Sequence, residues 1–183
     1  MALRAGRYAL EGRITLRTSR DGLAAQAGHD LTIEVGRWSG EVVIGADLAP
    51  VSLEARVDLG SLVVRAGSGG IKALTDRDKR EILTTARKVL SVDRHPEATF
   101  TASSFSPAED GSAGVIDGAL TLAGRTGPLR LQVRQTDSDR FLVGTAVRQT
   151  SFGIKPYSGF LGALRVSDDV AVEAEVDLTP ASG

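Results

Sequence analysis

The sequence predicts an all-β fold with one or two short helices, closed as an antiparallel barrel of about eight strands. Three observations carry that expectation. Apolar and polar residues alternate with a period of two along most of the 183-residue chain, which marks strands with one dry and one wet face. Turn-rich pieces such as "SPAEDGSAG" (106–114) and "AGRTG" (123–127) separate these runs at short intervals, as in a meander. Near the midpoint, one segment alone switches to helical spacing. One-faced strands must still dispose of their edges, and a barrel removes exposed edges altogether.

The elements follow in order. Tyr8, Leu10, Gly12, Ile14 and Leu16 alternate with Ala9, Glu11, Arg13, Thr15 and Arg17. Leu31, Ile33 and Val35 face away from Thr32 and Glu34, and Val51, Leu53, Ala55, Val57 and Leu59 alternate with Ser52, Glu54, Arg56 and Asp58. The region 98–105 reads as a strand around Phe100. Ile116, Gly118, Leu120 and Leu122 oppose Asp117 and Thr121, and Leu129, Leu131 and Val133 oppose Arg130, Gln132 and Arg134. Phe141, Val143, Thr145 and Val147 continue the series, which Val170, Val172, Ala174, Val176 and Leu178 complete.

Between Thr75 and Leu90 the apolar residues are Ile82, Leu83, Ala86, Val89 and Leu90, the stripe of an amphipathic helix. Thr75 with Asp78 resembles a capping box, Asp76 adds negative charge at the amino end, and Arg87 and Lys88 suit the carboxyl end. The expected organisation is one domain over 1–183 with a helical insertion at about 72–91. Glycines at inward positions, Gly12 and Gly118, either enlarge the interior or mark bends at barrel corners.

Composition excludes much. The formal net charge is -1 and the arginines are scattered, so nucleic acid is not an expected partner. Without cysteine there is no thiol nucleophile and no thiolate metal site. His29 and His95 stand alone, with no second histidine at ligand spacing, so no metal site is expected. In "GHD" (28–30), Gly28 reads as a turn beside the start of a strand, and "GSGG" (67–70) lacks the Lys-Ser/Thr of a phosphate loop. "TDRDKRE" (75–81) reads as a solvated helix surface. No catalytic residue emerges, and the expectation is a protein that is not an enzyme. The amino terminus has no apolar run of signal-peptide type, which predicts a cytoplasmic protein.

The least ordinary stretch is "SFGIKPYSGFLGALRV" (151–166). It gathers Phe152, Tyr157 and Phe160 in a chain with one Trp, two Tyr and five Phe in all. Its glycines and Pro156 predict an irregular connection between two long strands, capping the barrel end or lining an entrance.

Three stretches together resemble the YceI-like family, the bacterial polyisoprenoid-binding, lipocalin-like proteins. They are "HPEATFTASSF" (95–105), "GALTLAGRTGPLRLQV" (118–133) and "RQTSFGIKPYSGFLGALRVSDDVAVEAEVDL" (148–178), and the "GHDLTIEV" to "GEVVIG" region also fits. Leu129 stands where the family usually has valine. The resemblance implies an extended lipocalin-like barrel with a helix at one end and no cofactor. It also implies a tunnel for a long-chain isoprenoid lipid, a polyprenyl phosphate or an isoprenoid quinone. Many family members carry a secretion signal, and the amino-terminal pattern of this sequence leads to the expectation that this one departs from them.

On that resemblance the tunnel-lining candidates are Ile14, Leu16, Leu31, Ile33, Val57, Phe100, Leu120, Leu131, Phe141 and Val143, with Phe152, Ile154, Phe160 and Leu161 at the mouth. His29, Arg148 and Lys155 are the head-group candidates. Transient membrane contact and a homodimer are further expected partners. Two rival readings stay open: a solid barrel acting as a stress or interaction protein, and a barrel isomerase or cyclase acting on an apolar substrate. The enzyme would need an ionisable group inside the tunnel, which the inward residues do not supply.

Overall fold

The structure is a computed structural model that describes residues 3–181. The first strands are β1 (Gly6–Arg17), the two-residue β2 (Arg20–Asp21), β3 (Asp30–Val35), β4 (Trp38–Ile44), β5 (Pro50–Asp58) and β6 (Leu62–Ser68). After the helix α1 (Asp76–Val89) come β7 (Glu97–Pro107), β8 (Ala113–Leu122), β9 (Arg125–Gln135) and β10 (Arg140–Arg148). Two short strands, β11 (Ser158–Gly159) and β12 (Leu164–Val166), precede β13 (Asp169–Pro180).

These form a closed antiparallel barrel. Its hydrogen-bonded order is β13-β10-β9-β8-β7-β5-β4-β1-β3-β6, and β13 pairs back onto β1 from Tyr8↔Pro180 to Arg17↔Ala171. The barrel has eight staves because two of them are broken strands. β4 pairs with the first half of β1 and β3 with the second, so β3 and β4 make one stave interrupted at Gly36 and Arg37. β5 and β6 make another, interrupted by a 3-10 turn at Leu59–Ser61. The two breaks lie side by side: the Gly36 N–H donates to Ser61 O at 3.0 Å and the Asp58 N–H to Arg37 O at 3.1 Å.

The consequence is an incomplete wall. β5 pairs with β7, but β6 pairs only with β3. At the end of the barrel where β1, β6 and β10 finish, the ladder therefore has a gap between β6 and β7. The chain fills it with α1, the element that links those two strands. A capping box starts the helix: the Thr75 hydroxyl accepts the Asp78 N–H at 3.2 Å, and the Asp78 carboxylate accepts the Thr75 N–H at 2.8 Å. Arg87 and Lys88 occupy the last turn, where the helix dipole favours cations. Its stripe packs on two apolar clusters, Ile82 and Leu83 on the one built from Ile33, Val35, Leu62 and Val64, and Val89 on the one that includes Leu59 and Val92. Yet no residue of the helix is fully buried, because much of the stripe faces a hollow.

The opposite end is solid. Tyr8, Val42 and Ile44 pack with Leu10, Leu53 and Leu178, and the Tyr8 hydroxyl is satisfied by the Arg4 backbone at 2.9 and 3.1 Å. Two glycines decide close approaches. At Gly12 (φ +137) a β-carbon would collide with the Glu175 carbonyl, so β1 and β13 meet at the seam only because the residue is glycine. At Gly118 a β-carbon would stand 2.5 Å from Phe100 Cζ, so the missing side chain makes room for the aromatic ring. Neither glycine borders the hollow.

Candidate functional site

A cavity of about 870 Å³ occupies the helix end of the barrel. Its strand walls are Ile14 and Leu16 of β1, Leu31, Ile33 and Val35 of β3, Leu120 and Leu122 of β8, Leu129 and Leu131 of β9, and Val170 and Val172 of β13. The inward face of each strand is apolar for the reason its sequence alternates, since residues two apart share a face. α1 closes one side with Ile82, Thr85, Ala86, Val89 and Leu90. Every ionisable group on the lining lies on α1 or on the segments around the mouth, none on a barrel stave.

Those ionisable groups are Arg20, His29, Lys72, Asp78, Glu81, Tyr157 and Arg165. The β1–β3 loop and the segment before α1 meet around them. His29 Nε2 lies 2.7 Å from Lys72 O, so Nε2 carries the hydrogen and donates it, pinning the segment to the start of β3. The Arg20 Nη1 donates to Gly28 O at 2.7 Å, and the Asp30 carboxylate accepts the Arg20 N–H at 2.8 Å. Gly70 packs on the His29 ring, and Gly69 lies against the Arg20 guanidinium. "GSGG" is thus a close-packed crossing, which a side chain at either of its last two glycines would obstruct. Asp78, held by the Thr75 hydroxyl, has its carboxyl below the usual aspartate range.

The other end is sealed by buried Leu59, Val92, Ala98, Leu122, Phe152 and Ile154. Gln149 is the one buried polar side chain among the described residues; its Nε2 donates to Ser167 O at 3.0 Å, and it contributes to the cavity wall. The hollow therefore grades from a charged rim to an apolar blind end.

Of the residues singled out in the sequence, Ile14, Leu16, Leu31, Ile33, Val57, Leu120, Leu131, Ile154 and His29 line this cavity. The remainder lie elsewhere. Phe100 and Phe141 share the inward period but lie off the hollow; Phe100 is buried over Gly118, and Phe141 faces buried Val176 across β10 and β13, while Val143 borders a second concavity. Phe152 is 3% exposed in the sealed cluster, so it closes the blind end and does not rim a mouth. Leu161 is 109% exposed, pointing into solvent. The Phe160 side chain lies outside the described residues. Arg148 is on the outer surface in a two-pronged pair with Asp169 at 2.9 and 3.1 Å, which raises the arginine and lowers the acid. Lys155 is exposed and off the lining.

Sequence reasoning missed the helix as a wall, along with Arg20, Lys72, Arg165 and Gln149, whereas Tyr157 of the aromatic stretch does border the cavity. The "TDRDKRE" surface is only partly solvated decoration, because Asp78 and Glu81 border the mouth. A second concavity, about 820 Å³, lies on the outer wall. Its charges are largely spoken for by cross-strand pairs, Arg13 with Glu175, Arg17 with Glu173 and Arg65 with Glu34. Among the described residues no group of three or more His, Asp or Glu could hold a metal ion.

A family model described as YceI-like domain matches residues 14–178. The chain belongs to the YceI-like family. Solved structures share the fold at low identity. BcnA from Burkholderia cenocepacia aligns with a TM-score of 0.63 and 16% identity, over 90% of this chain and 94% of that one. A Campylobacter jejuni YCEI protein gives 0.61 and 14%, over 82% and 85%. A polyisoprenoid binding domain from Saccharophagus degradans, implicated in plant cell wall breakdown, gives 0.57 and 14%, over 95% and 98%. No curated protein matches the sequence. The YceI-like barrel of this chain is thus the expected one, with eight staves and one helix.

Proposed function

We propose that this YceI-like barrel binds, carries or stores a long-chain isoprenoid lipid, without catalysis and without a cofactor. The observation that carries the reading is the graded cavity: an apolar blind end, walls of Leu, Ile and Val, and ionisable groups kept to the mouth and α1, where Arg20, His29, Lys72 and Arg165 stand with Asp78 and Glu81. A ligand matching it has a long branched apolar tail and a polar head. Polyprenyl phosphates meet that description, and isoprenoid quinones meet it with a neutral head. The family, and the polyisoprenoid binding named for the Saccharophagus degradans neighbour, point to the same class.

Energetics suit a carrier. Each five-carbon unit leaving water contributes about 4 kcal/mol, at roughly 0.8 kcal/mol per carbon. The lipid's alternative home is a membrane interior that is equally dry, so transfer between bilayer and barrel is close to balanced. Discrimination then falls to the head group, and the rim cations replace Arg148 and Lys155 as the groups to meet it. The acids and bases on the lining, His29, Asp78 and Glu81, sit at the mouth and on α1, where they would meet a head group before a tail, and that placement suits a binder better than an isomerase or cyclase.

The test is solvent extraction of purified protein followed by mass spectrometry, and then loading of stripped protein with a polyprenyl phosphate or a quinone in detergent. A stoichiometric prenyl species from either supports the reading. Failure to retain any prenyl lipid on loading sinks it.

A further inference from the structure

Four apolar side chains stand exposed at the cavity's end of the molecule. Leu23 is 101% exposed, Ile71 81%, Leu161 109% and Tyr157 43%. They come from three segments that the fold brings together. The Ala24 N–H donates to Ala163 O at 2.8 Å, setting the Leu23 turn beside the Leu161 turn. β2 pairs with β12, Arg20 against Val166, while the Arg20 guanidinium reaches Gly69 on the segment that carries Ile71. Ile71 and Tyr157 also border the cavity, so the exposed tips and the hollow are continuous.

From this we infer that the rim docks on a lipid bilayer, with Leu23, Ile71 and Leu161 as its insertion points. The inference rests on the isoprenoid reading for its purpose, but on the rim for its evidence. Three isolated side chains offer on the order of 200–350 Å² of apolar area in all. A stable protein interface needs roughly 1,000 Å² or more with a packed centre, which separate tips do not supply. A bilayer needs no complementary shape and takes each tip singly.

Leu161 also has a left-handed backbone (φ 56, ψ 31), a conformation that glycine adopts freely. Leu48 at the solid end shares it (φ 63), so what distinguishes Leu161 is its full exposure beside the cavity and not its strain.

Charge at the rim is mixed. Lys72, Lys155 and Arg165 carry no ion pair among the described residues, but Asp21 lies opposite Arg165 in the β2–β12 register. Docking therefore depends on the apolar tips and needs no anionic lipid.

The test is co-sedimentation of full-length protein with phosphatidylcholine vesicles, together with loading of a polyprenyl phosphate from detergent. Each of L23D, I71D and L161D is expected to weaken vesicle binding about ten- to a hundredfold, while loading from detergent is unchanged in L23D and L161D, whose side chains lie off the cavity lining. L161G relieves the strained backbone, so it should keep or raise Tm and still lose binding. Leu48, 52% exposed on the hairpin at the solid end, is the control: L48D should bind as wild type. Wild-type protein that loads prenyl lipid yet ignores vesicles overturns docking and leaves the isoprenoid reading intact. Vesicle binding abolished by the rim variants, in a protein that loads no prenyl lipid, supports docking and removes the isoprenoid reading. Self-association that the rim variants abolish, without vesicle binding, overturns docking in favour of a second copy.

Discussion

Ala86 sits on the cavity side of α1, between Ile82 and Val89, and its replacement by tryptophan tests the hollow directly. The indole adds about nine non-hydrogen atoms, the bulk of roughly two five-carbon units, each about 4 kcal/mol on leaving water. Even one displaced unit costs about a thousandfold in Kd. The fold itself should tolerate the change. An indole filling about 100 Å³ of an 870 Å³ cavity returns about 2 kcal/mol at ~24 cal/mol per Å³ of void. Against that stands a helix-propensity loss of a few tenths. The assay is titration of stripped A86W with a fluorescent geranylgeranyl probe, alongside thermal unfolding of the empty protein. The expected result is a Kd raised at least a hundredfold with Tm equal to or above wild type. Affinity within threefold of wild type in a folded A86W would refute the placement of the tail beside α1.

Three further outcomes follow from the same geometry. Gly12→Ala forces a β-carbon into the Glu175 carbonyl at positive φ, so it should lower stability by more than about 1 kcal/mol, read by chemical denaturation; an unchanged midpoint would show that the seam relaxes. Arg20→Ala should weaken binding of a prenyl phosphate more than of a prenyl alcohol, whereas Arg148→Ala, which breaks only an outer pair with Asp169, should alter neither. The carboxyls of Glu34, Asp58, Asp78 and Asp169 are all held low, chiefly by hydrogen bonds from Arg65, Arg37, Thr75 and Arg148 respectively. A depressed folded pKa stabilises above the unfolded value and loses that contribution as pH falls through the folded one. The melting temperature should therefore be level from neutral down to the ordinary carboxylate range and decline only below it. A decline that begins near pH 6 would contradict the assignment.

The staves of the barrel were legible because one face of each is dry, so the period of two survives in β1, β5, β9, β10 and β13 almost unbroken. β6 escaped because Leu62, Val63 and Val64 are apolar in succession, and the 3-10 turn before it hides the continuity with β5. The helix was legible from its stripe and its cap. Its role was not, because a stripe facing a cavity and a stripe facing a core have the same spacing. Depth along a strand is equally silent: Phe141 and Thr145 share a face, yet only Thr145 reaches the hollow. The rim cations come from loops whose meeting depends on the Arg20 and His29 hydrogen bonds, and no periodicity announces those.

The gap between β6 and β7 separates two properties that most barrels tie together. Around the solid end, every stave is locked to its neighbours by a ladder, and opening it means breaking backbone hydrogen bonds in series. Along α1 the wall is held by side-chain packing, the capping box and a few tethers such as Lys79 Nζ to Arg65 O at 3.4 Å. Regions of that kind open with lower free energy than the global transition. On the isoprenoid reading, exchange of contents would proceed sideways past the helix, at a pace that does not depend on how long the tail is, whereas threading through the rim would slow with every added unit. On that reading, lifetime of the fold and residence time of a cargo would be written in different residues, so each could be altered without the other.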